Sequence, residues 1–329
     1  MRSKTGHFLG SKGFGILLED LAPINCMDIG ARGGPTEDLL PLADAVNVYC
    51  FEPDVDECRR LNEKSSESSP PYRKVVFFPV ALSEKGGGRH LHLTRHRGAS
   101  SLLAPLSEVG HGFCRTQYTA VDKKIPIDTV PLGEFVEKQG LKDLCFLKID
   151  VEGLELEVLR SARKLIENDL IVVRAEVAFF PTRAGQPLYC DIAGFLRQFR
   201  FLPMGFGELH HWCRFPGVKH MKWTREAIPF SRGQLIHGDM IFFRDPDTLT
   251  AETEEGARIA LKAALLAMAY GFMDHAHYIL TKPGVCGLME KKYGLSADDE
   301  LGIVSTSLAR MYGARGPFSC LGKWRGYPA

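Results

Sequence analysis

From Ile24 to about Phe206 the chain alternates short apolar runs with helix-like stretches. Few architectures accept that order, because parallel strands buried on both faces each need a covering crossover before the next strand. The pattern predicts strands at 24–29 (INCMDI), 46–52 (VNVYCFE), 73–80 (RKVVFFPV), 144–149 (LCFLKI), 169–177 (DLIVVRAEV), 200–206 (RFLPMGF) and, after a long loop, 239–245 (DMIFFRD). It predicts helices over PTEDLLPLA with Pro35 in the first turn, VDECRRLNE, LGEFVEKQG, the single stretch GLELEVLRSARKLIE and DIAGFLRQF. The expected fold class is α/β, a doubly wound sheet with helices on both faces. A last strand inserted antiparallel would use every piece, although the alternation itself does not dictate that detail.

Two segments interrupt the alternation. Residues 83–128 hold three consecutive glycines, the stretch RHLHLTRHR, the loop GASSLL and the strand-like run YTAVDKKIPID, and residues 207–238 are rich in His, Trp, Phe, Pro and Gly. Insertions at the carboxyl ends of strands usually build or cover a ligand site. The chain is thus divided into a lead-in (1–23), a main domain (24–246) and a small helical appendage (247–329). The appendage is expected to hold the helix ETEEGARIALKAALLAMAY and a second one, DHAHYILTK, stopped by Pro283. Leu261, Leu265, Met268 and Phe272 fall on one helical stripe, which is expected to dock within the chain, with homodimerisation as the alternative. No catalytic or cofactor-binding group is expected there, so a chain ending near Asp247 should remain soluble and still bind the cofactor.

The 41 Lys and Arg almost cancel the 40 Asp and Glu, and a net charge of +1 gives nothing to neutralise phosphates, so no nucleic-acid partner is expected. The longest uncharged run near the C-terminus, Ala263 to Met273, is 11 residues, short of the roughly 20 that span a bilayer. The N-terminus has no apolar block followed by a cleavage site, so no membrane partner is expected and the default location is the cytoplasm. The nine cysteines are odd in number, contain no CxxC pair and sit largely in apolar runs, as reduced core residues do.

Chemistry is concentrated in two places. CMDIGARGGP (26–35) is a glycine turn after the first strand, and Glu52 ends the next strand 24 residues after Asp28. A glycine turn admits a ligand to the backbone, and an acid at the end of the second strand can accept both hydroxyls of a ribose. The turn lacks the G-x-G-x-x-G spacing of a dinucleotide site, and the acid Asp28 beside it would repel a pyrophosphate but suit the ammonium of a methionine moiety. These features favour S-adenosylmethionine, with an NAD-type oxidoreductase as the alternative and an inactive interaction module as a third reading. The second place is FLKIDVEGLELEVLR (146–160), where a strand that should be buried on both faces ends in Lys148 and Asp150, with Glu152 following. Buried charges are costly without partners or a task.

LKIDVEGLELEVLRSA, together with MDIGARGG, CFEPD, PVALSE and the pair Ser100-Ser101, resembles the FkbM family of methyltransferases over about Ile24 to Asp245. Arg32 in the glycine turn, the long 207–238 segment and the helical tail depart from the family pattern. The resemblance implies a class I methyltransferase (Rossmann-like) fold that moves a methyl group from S-adenosyl-L-methionine to a small-molecule hydroxyl acceptor, usually on a sugar or natural product. It implies cofactor contacts at Asp28, Gly30, Ala31, Gly33, Glu52, Pro53, Val80, Ala81 and Ser101. Asp150 or Glu152 would serve as the base, and Lys148 would steady the developing alkoxide or keep its acids ionised.

Three weaker candidates remain. His90, His92, Thr94 and His96 alternate onto one strand face, expected as a solvated edge rather than a metal or anion site. His210, His211 and Trp212 offer a base or a stacking surface. Glu176 is expected to pair with Arg174 or a backbone amide in preference to sharing a divalent cation with Asp150, so no metal is assigned.

Overall fold

A computed structural model describes residues 12–67, 70–214 and 232–296. Ten strands are present: β1 Ile24–Ile29, β2 Val46–Phe51, β3 Lys74–Phe78, β4 Ala81–Leu82, β5 Gly87–Thr94, β6 Val121–Val130, β7 Leu144–Ile149, β8 Val172–Ala178, β9 Phe201–Trp212 and β10 Gln234–Arg244. Seven of them form one sheet in the order β3-β2-β1-β7-β8-β10-β9. The first five are parallel, and β10 lies antiparallel between β8 and β9. This is the doubly wound α/β fold that the alternation predicts, and the antiparallel insertion that the alternation does not dictate is present as well. β9 and β10 run well past the expected 200–206 and 239–245, toward each other across the 207–238 segment. The other insertion folds as a small sheet, β4-β6-β5.

The helices are α1 Lys12–Leu21, α2 Val55–Glu67, α3 Ser107–Gly112, α4 Thr116–Thr119, α5 Leu132–Gln139, α6 Glu155–Ser161, α7 Arg163–Asn168, α8 Tyr189–Arg197, α9 Glu254–Ala269, α10 Met273–Leu280 and α11 Pro283–Leu288. Two expectations fail locally. PTEDLLPLA forms turns and a 3-10 helix, Leu40–Ala45, instead of an α-helix. Pro41 has no N–H and its ring collides with the preceding helical turn, while the Thr36 amide donates inward to Asp28 Oδ2 at 2.6 Å. The stretch 153–167 breaks at Ala162 into α6 and α7, where the Ser161 hydroxyl donates to the Val158 carbonyl and accepts the Leu132 amide.

Strand alternation sends Met27, Ile29, Leu147, Ile149, Val173 and Phe242 to one face, under α5 to α8. Cys26, Val48, Phe146, Val172, Ile241 and Phe243 go to the other, under α1, α9, α10 and α11. The described part of the tail, residues 247–296, therefore forms one layer of the core. Ten residues of α9 are buried, among them Leu261, Leu265 and Met268 of the expected stripe. Pro283 does not merely end a helix; it opens α11. Arg258 and Tyr293 both bond Asp20, tying this layer to α1. Among the described residues no helix is long and apolar enough to cross a membrane, and the cysteines are free; Cys320 lies outside them.

Leu266 is fully buried in this layer, so Leu266→Ala is expected to lower the unfolding free energy by about 2–5 kcal/mol in a denaturant titration. Ending the chain at Asp247 would remove α9, α10 and α11 and uncover the part of the face that they cover. Contrary to the expectation from sequence, that truncation should abolish the cooperative melt, and a sharp thermal transition in the truncated chain would refute the core assignment.

Candidate active site

On the face beneath α9 the strands stop being apolar toward their carboxyl ends. Asp28 follows Cys26, Lys148 follows Phe146, Arg174 follows Val172, and Asp239 of the antiparallel β10 precedes Ile241, so charged side chains from four strands sit side by side. Lys148 Nζ lies 3.3 Å from Asp28 and 3.4 Å from Asp150, and donates to the Gly30 carbonyl. Arg174 bonds both oxygens of Asp38 at 2.6 and 2.7 Å and Asp239 at 2.7 Å. Burial alone would lower the Lys148 pKa, but Asp28 and Asp150 raise it, so the cation is firmly held. Burial pushes Asp28 up against the pull of Lys148 and the Thr36 amide.

The turn after β7 is built by side chains. Glu152 is left-handed at φ 58°, a conformation costly for a residue with a Cβ. Glu155 Oε1 accepts the Val151 and Gly153 amides at 2.9 and 3.0 Å, and Ser101 Oγ donates to the Glu152 carbonyl at 2.7 Å. Arg183, itself bonded to the Ala99 carbonyl, pairs with the Glu152 carboxylate. Burial pushes Glu152 up to about 7 in spite of Arg183. Gly30, at φ 83°, must lack a side chain: a Cβ there would lie 1.8 Å from the Asp150 carbonyl oxygen.

A cavity of about 280 Å³ runs along the carboxyl ends of β2, β1 and β7. Of the sequence-derived site residues, Gly30, Glu52, Pro53, Val80, Ala81, Ser101, Asp150 and Glu152 line it. Asp28, Ala31, Gly33 and Lys148 do not: Asp28 and Ala31 are buried behind it, and Lys148 is spent on its two acids. Burial raises the pKa of Glu52, whose Oε1 accepts the Asp54 amide and faces Arg32 at 3.7 Å. Four amides of the turn are already bonded. The Gly30 and Ala31 amides go to the Phe51 carbonyl, Gly33 to Glu57 and Gly34 to Ala31.

A second cavity of about 330 Å³ adjoins the first across Gly98 and Glu152. His210, His211 and Trp212, a weaker candidate from the sequence, line it, and so do residues the sequence did not single out: Arg183, Tyr118 and His237. Glu176 pairs with His237 Nδ1 at 2.7 Å, not with Arg174 as expected, because Asp38 and Asp239 occupy that guanidinium. The spacing of Glu155 from Glu152 was the one local signal for the turn; Arg183 and His237 come from remote segments. The expected solvated edge holds in part: β5 is an edge strand, and His90 and His96 are exposed. His92 and Thr94 are buried, while His96 stacks on Tyr118 with ring centroids 4.5 Å apart at the second cavity. Asp150, Glu152 and Glu176 offer oxygens within 4.8 Å of one another, the one metal-sized grouping among the described residues.

Residues 28–203 match the sequence pattern of the methyltransferase FkbM domain. No curated protein sequence matches. Among solved structures, a methyltransferase FkbM from Methylobacillus flagellatus KT is 15% identical, with 68% of this chain covering 44% of that one at a TM-score of 0.37. The chain thus spans less than half of that protein. The magnesium protoporphyrin IX methyltransferase of Synechocystis PCC 6803, solved with bound SAM, is also 15% identical, with 70% and 76% of the two chains covered and a TM-score of 0.33.

Lys148→Met would leave Asp28 charged and buried, a loss of about 3–5 kcal/mol in chemical denaturation, and adding Asp28→Asn should recover part of it. Glu152, with a folded pKa of about 7 against an ordinary 4.5, binds its proton in the folded state where the unfolded chain has lost it. Stability is therefore expected to fall as pH rises through that window, and Glu152→Gln should flatten the slope measured by unfolding at successive pH values.

Proposed function

Since the chain belongs to the FkbM methyltransferase family, we propose that it binds S-adenosyl-L-methionine in the first cavity and methylates a hydroxyl on a sugar-containing or natural-product small molecule. One observation carries the choice of cofactor. The amides of Gly30, Ala31, Gly33 and Gly34 are already bonded, and the cavity is lined by the carboxylates of Glu52, Asp54, Asp150 and Glu152, while its two arginines are paired, Arg32 with Glu52 and Asp54 and Arg97 with Asp122. A pyrophosphate needs free N–H donors and no acid nearby; a nucleoside carrying a cation fits acids.

The cavity residues fit such a group. Glu52 would take the ribose hydroxyls. Phe51, Val80, Ala81, Leu82 and Ile127 give an apolar wall for the adenine. Asp150 and Glu152, at the other end, would face the cationic part, while Asp28 holds Lys148 and Thr36 from behind. When bound, the cofactor supplies an electrophilic methyl group on a sulfonium. The protein's task is then to align an acceptor oxygen and remove its proton. Glu152, common to both cavities, marks where the two ligands would meet.

Isothermal calorimetry with S-adenosylhomocysteine is expected to show a single site. Glu52→Ala should weaken it about tenfold or more, the worth of a charged hydrogen bond, while Asp56→Ala, at an exposed position, should leave it unchanged. Heat from NAD but none from S-adenosylhomocysteine would overturn the reading in favour of an oxidoreductase.

A further inference from the structure

The second cavity holds an ordered imidazole that the cofactor reading does not use. His237 lies at the start of β10, which runs antiparallel and so brings its first residues to the same edge as the carboxyl ends of the parallel strands. Its Nδ1 is 2.7 Å from Glu176 Oε1. Its ring stacks on His210 with centroids 4.4 Å apart and planes 15° from parallel, and meets Trp212 edge-on at 6.2 Å. These contacts fix the ring. With Nδ1 turned to Glu176, Nε2 is left for the cavity that His237 lines, and no hydrogen bond joins it to a described residue.

The other groups that reach the junction of the cavities are already matched with cations or are cations. Asp150 is held by Lys148, and Glu152 by Arg183. Resting on the methyltransferase reading above, we propose that the second cavity receives the methyl acceptor, that His237 Nε2 takes the proton from its reacting hydroxyl, and that Glu176 positions the ring through Nδ1. The balance is simple. The acceptor O–CH3 bond forms as the S–CH3 bond breaks, the S–C electron pair stays on sulfur and makes a neutral thioether, and the O–H proton moves to Nε2. The resulting imidazolium lies against the Glu176 carboxylate, an acid–base pair oriented by a third group in the manner of other His–carboxylate sites.

Electrostatics set the condition under which the pair can act. Burial lowers the His237 pKa to about 4, with His210 and Arg183 adding to it against Asp150, so the free imidazole is neutral. Burial raises Glu176, with Asp150, Glu152 and Glu155 adding to it and Arg183 opposing. Asp239, which lies opposite Glu176 in the sheet, is neutralised by Arg174. While Glu176 is protonated it donates to Nδ1 and the ring proton sits on Nε2; the form able to accept a proton, with Glu176 ionised and the ring proton on Nδ1, is reached only as pH rises past the elevated Glu176 pKa.

Nitrogen-15 NMR of the histidine side chains with S-adenosylhomocysteine bound reads that form directly and needs no acceptor. At pH 8 the His237 ring is expected to carry its proton on Nδ1 with Nε2 bare, and Glu176→Gln should abolish that preference. A ring protonated on Nε2 in the unaltered protein at this pH overturns the assignment. Transfer can be read as label from methyl-tritiated S-adenosylmethionine entering the small-molecule fraction of an extract of the source cells. His237→Gln should cut labelling at least about 100-fold while leaving S-adenosylhomocysteine affinity within about twofold. Glu176→Gln should lower it less and displace its pH profile, with Glu176→Asp restoring part. Labelling by His237→Gln within about threefold of the unaltered protein sinks the base assignment alone. Absence of S-adenosylhomocysteine binding in the unaltered protein would instead sink the cofactor reading on which it rests.

Discussion

The structure depends on neutralising a row of charges inside a sheet. Asp28, Lys148, Arg174 and Asp239 occupy positions that, two residues further from the edge, are apolar in each of their strands. Removing such groups from water costs several kcal/mol apiece unless partners replace the lost hydration. Here each partner comes from a different strand or from the loop that carries Asp38. No two-strand fragment can satisfy the set, so the row ties strand order to the position of the site. It also keeps Lys148 cationic and withdrawn, which leaves the cavity wall to Asp150 and Glu152.

What the sequence reveals follows from how local each determinant is. β1 and β7 have the predicted bounds, because a buried strand announces itself within six residues and ends where Gly30 or Asp150 interrupts the apolar run. The acids of the first cavity are visible for the same reason: Glu52 directly follows β2, and Asp150 and Glu152 follow β7. The second cavity is not. Glu176 and His237 are 61 residues apart, and only the antiparallel register of β10, with His237 opposite Ala178, puts them together. Arg174 and Glu176 share a face at spacing two, and pairing them was a reasonable local inference, but the guanidinium is already taken by Asp38 and Asp239, which come from outside the strand.

In the described part of the tail, the composition of α9 itself carries the signal for burial. A helix that docks by one stripe exposes its other side, whereas α9 is buried at Ala257, Ala260, Leu261, Ala263, Ala264, Leu265, Leu266, Ala267, Met268 and Ala269. A helix apolar nearly all round belongs in a core, and its alanines allow a close approach to the sheet. The layer also reaches the charge row. Tyr270, at the end of α9, donates to Asp38 Oδ2 at 2.6 Å, the same carboxylate that holds Arg174. The carboxyl-terminal helices therefore contribute to the site's electrostatics without lining either cavity.

Between the two cavities stands the one strained residue of the site. Glu152 adopts φ 58°, and a conformation of that kind costs on the order of 1–3 kcal/mol and persists only where the surroundings over-determine it. The surroundings are three separate pieces of chain: Glu155 from α6, Ser101 from the loop after β5, and Arg183 from the loop after β8. Ser101 and Arg183 also meet the same insertion, through the His92 and Ala99 backbones respectively. The 83–128 insertion thus does more than cover the cavities. It fixes the carbonyl and the carboxylate of Glu152, and so sets the geometry at the point where a methyl donor in one cavity and an acceptor in the other would have to touch.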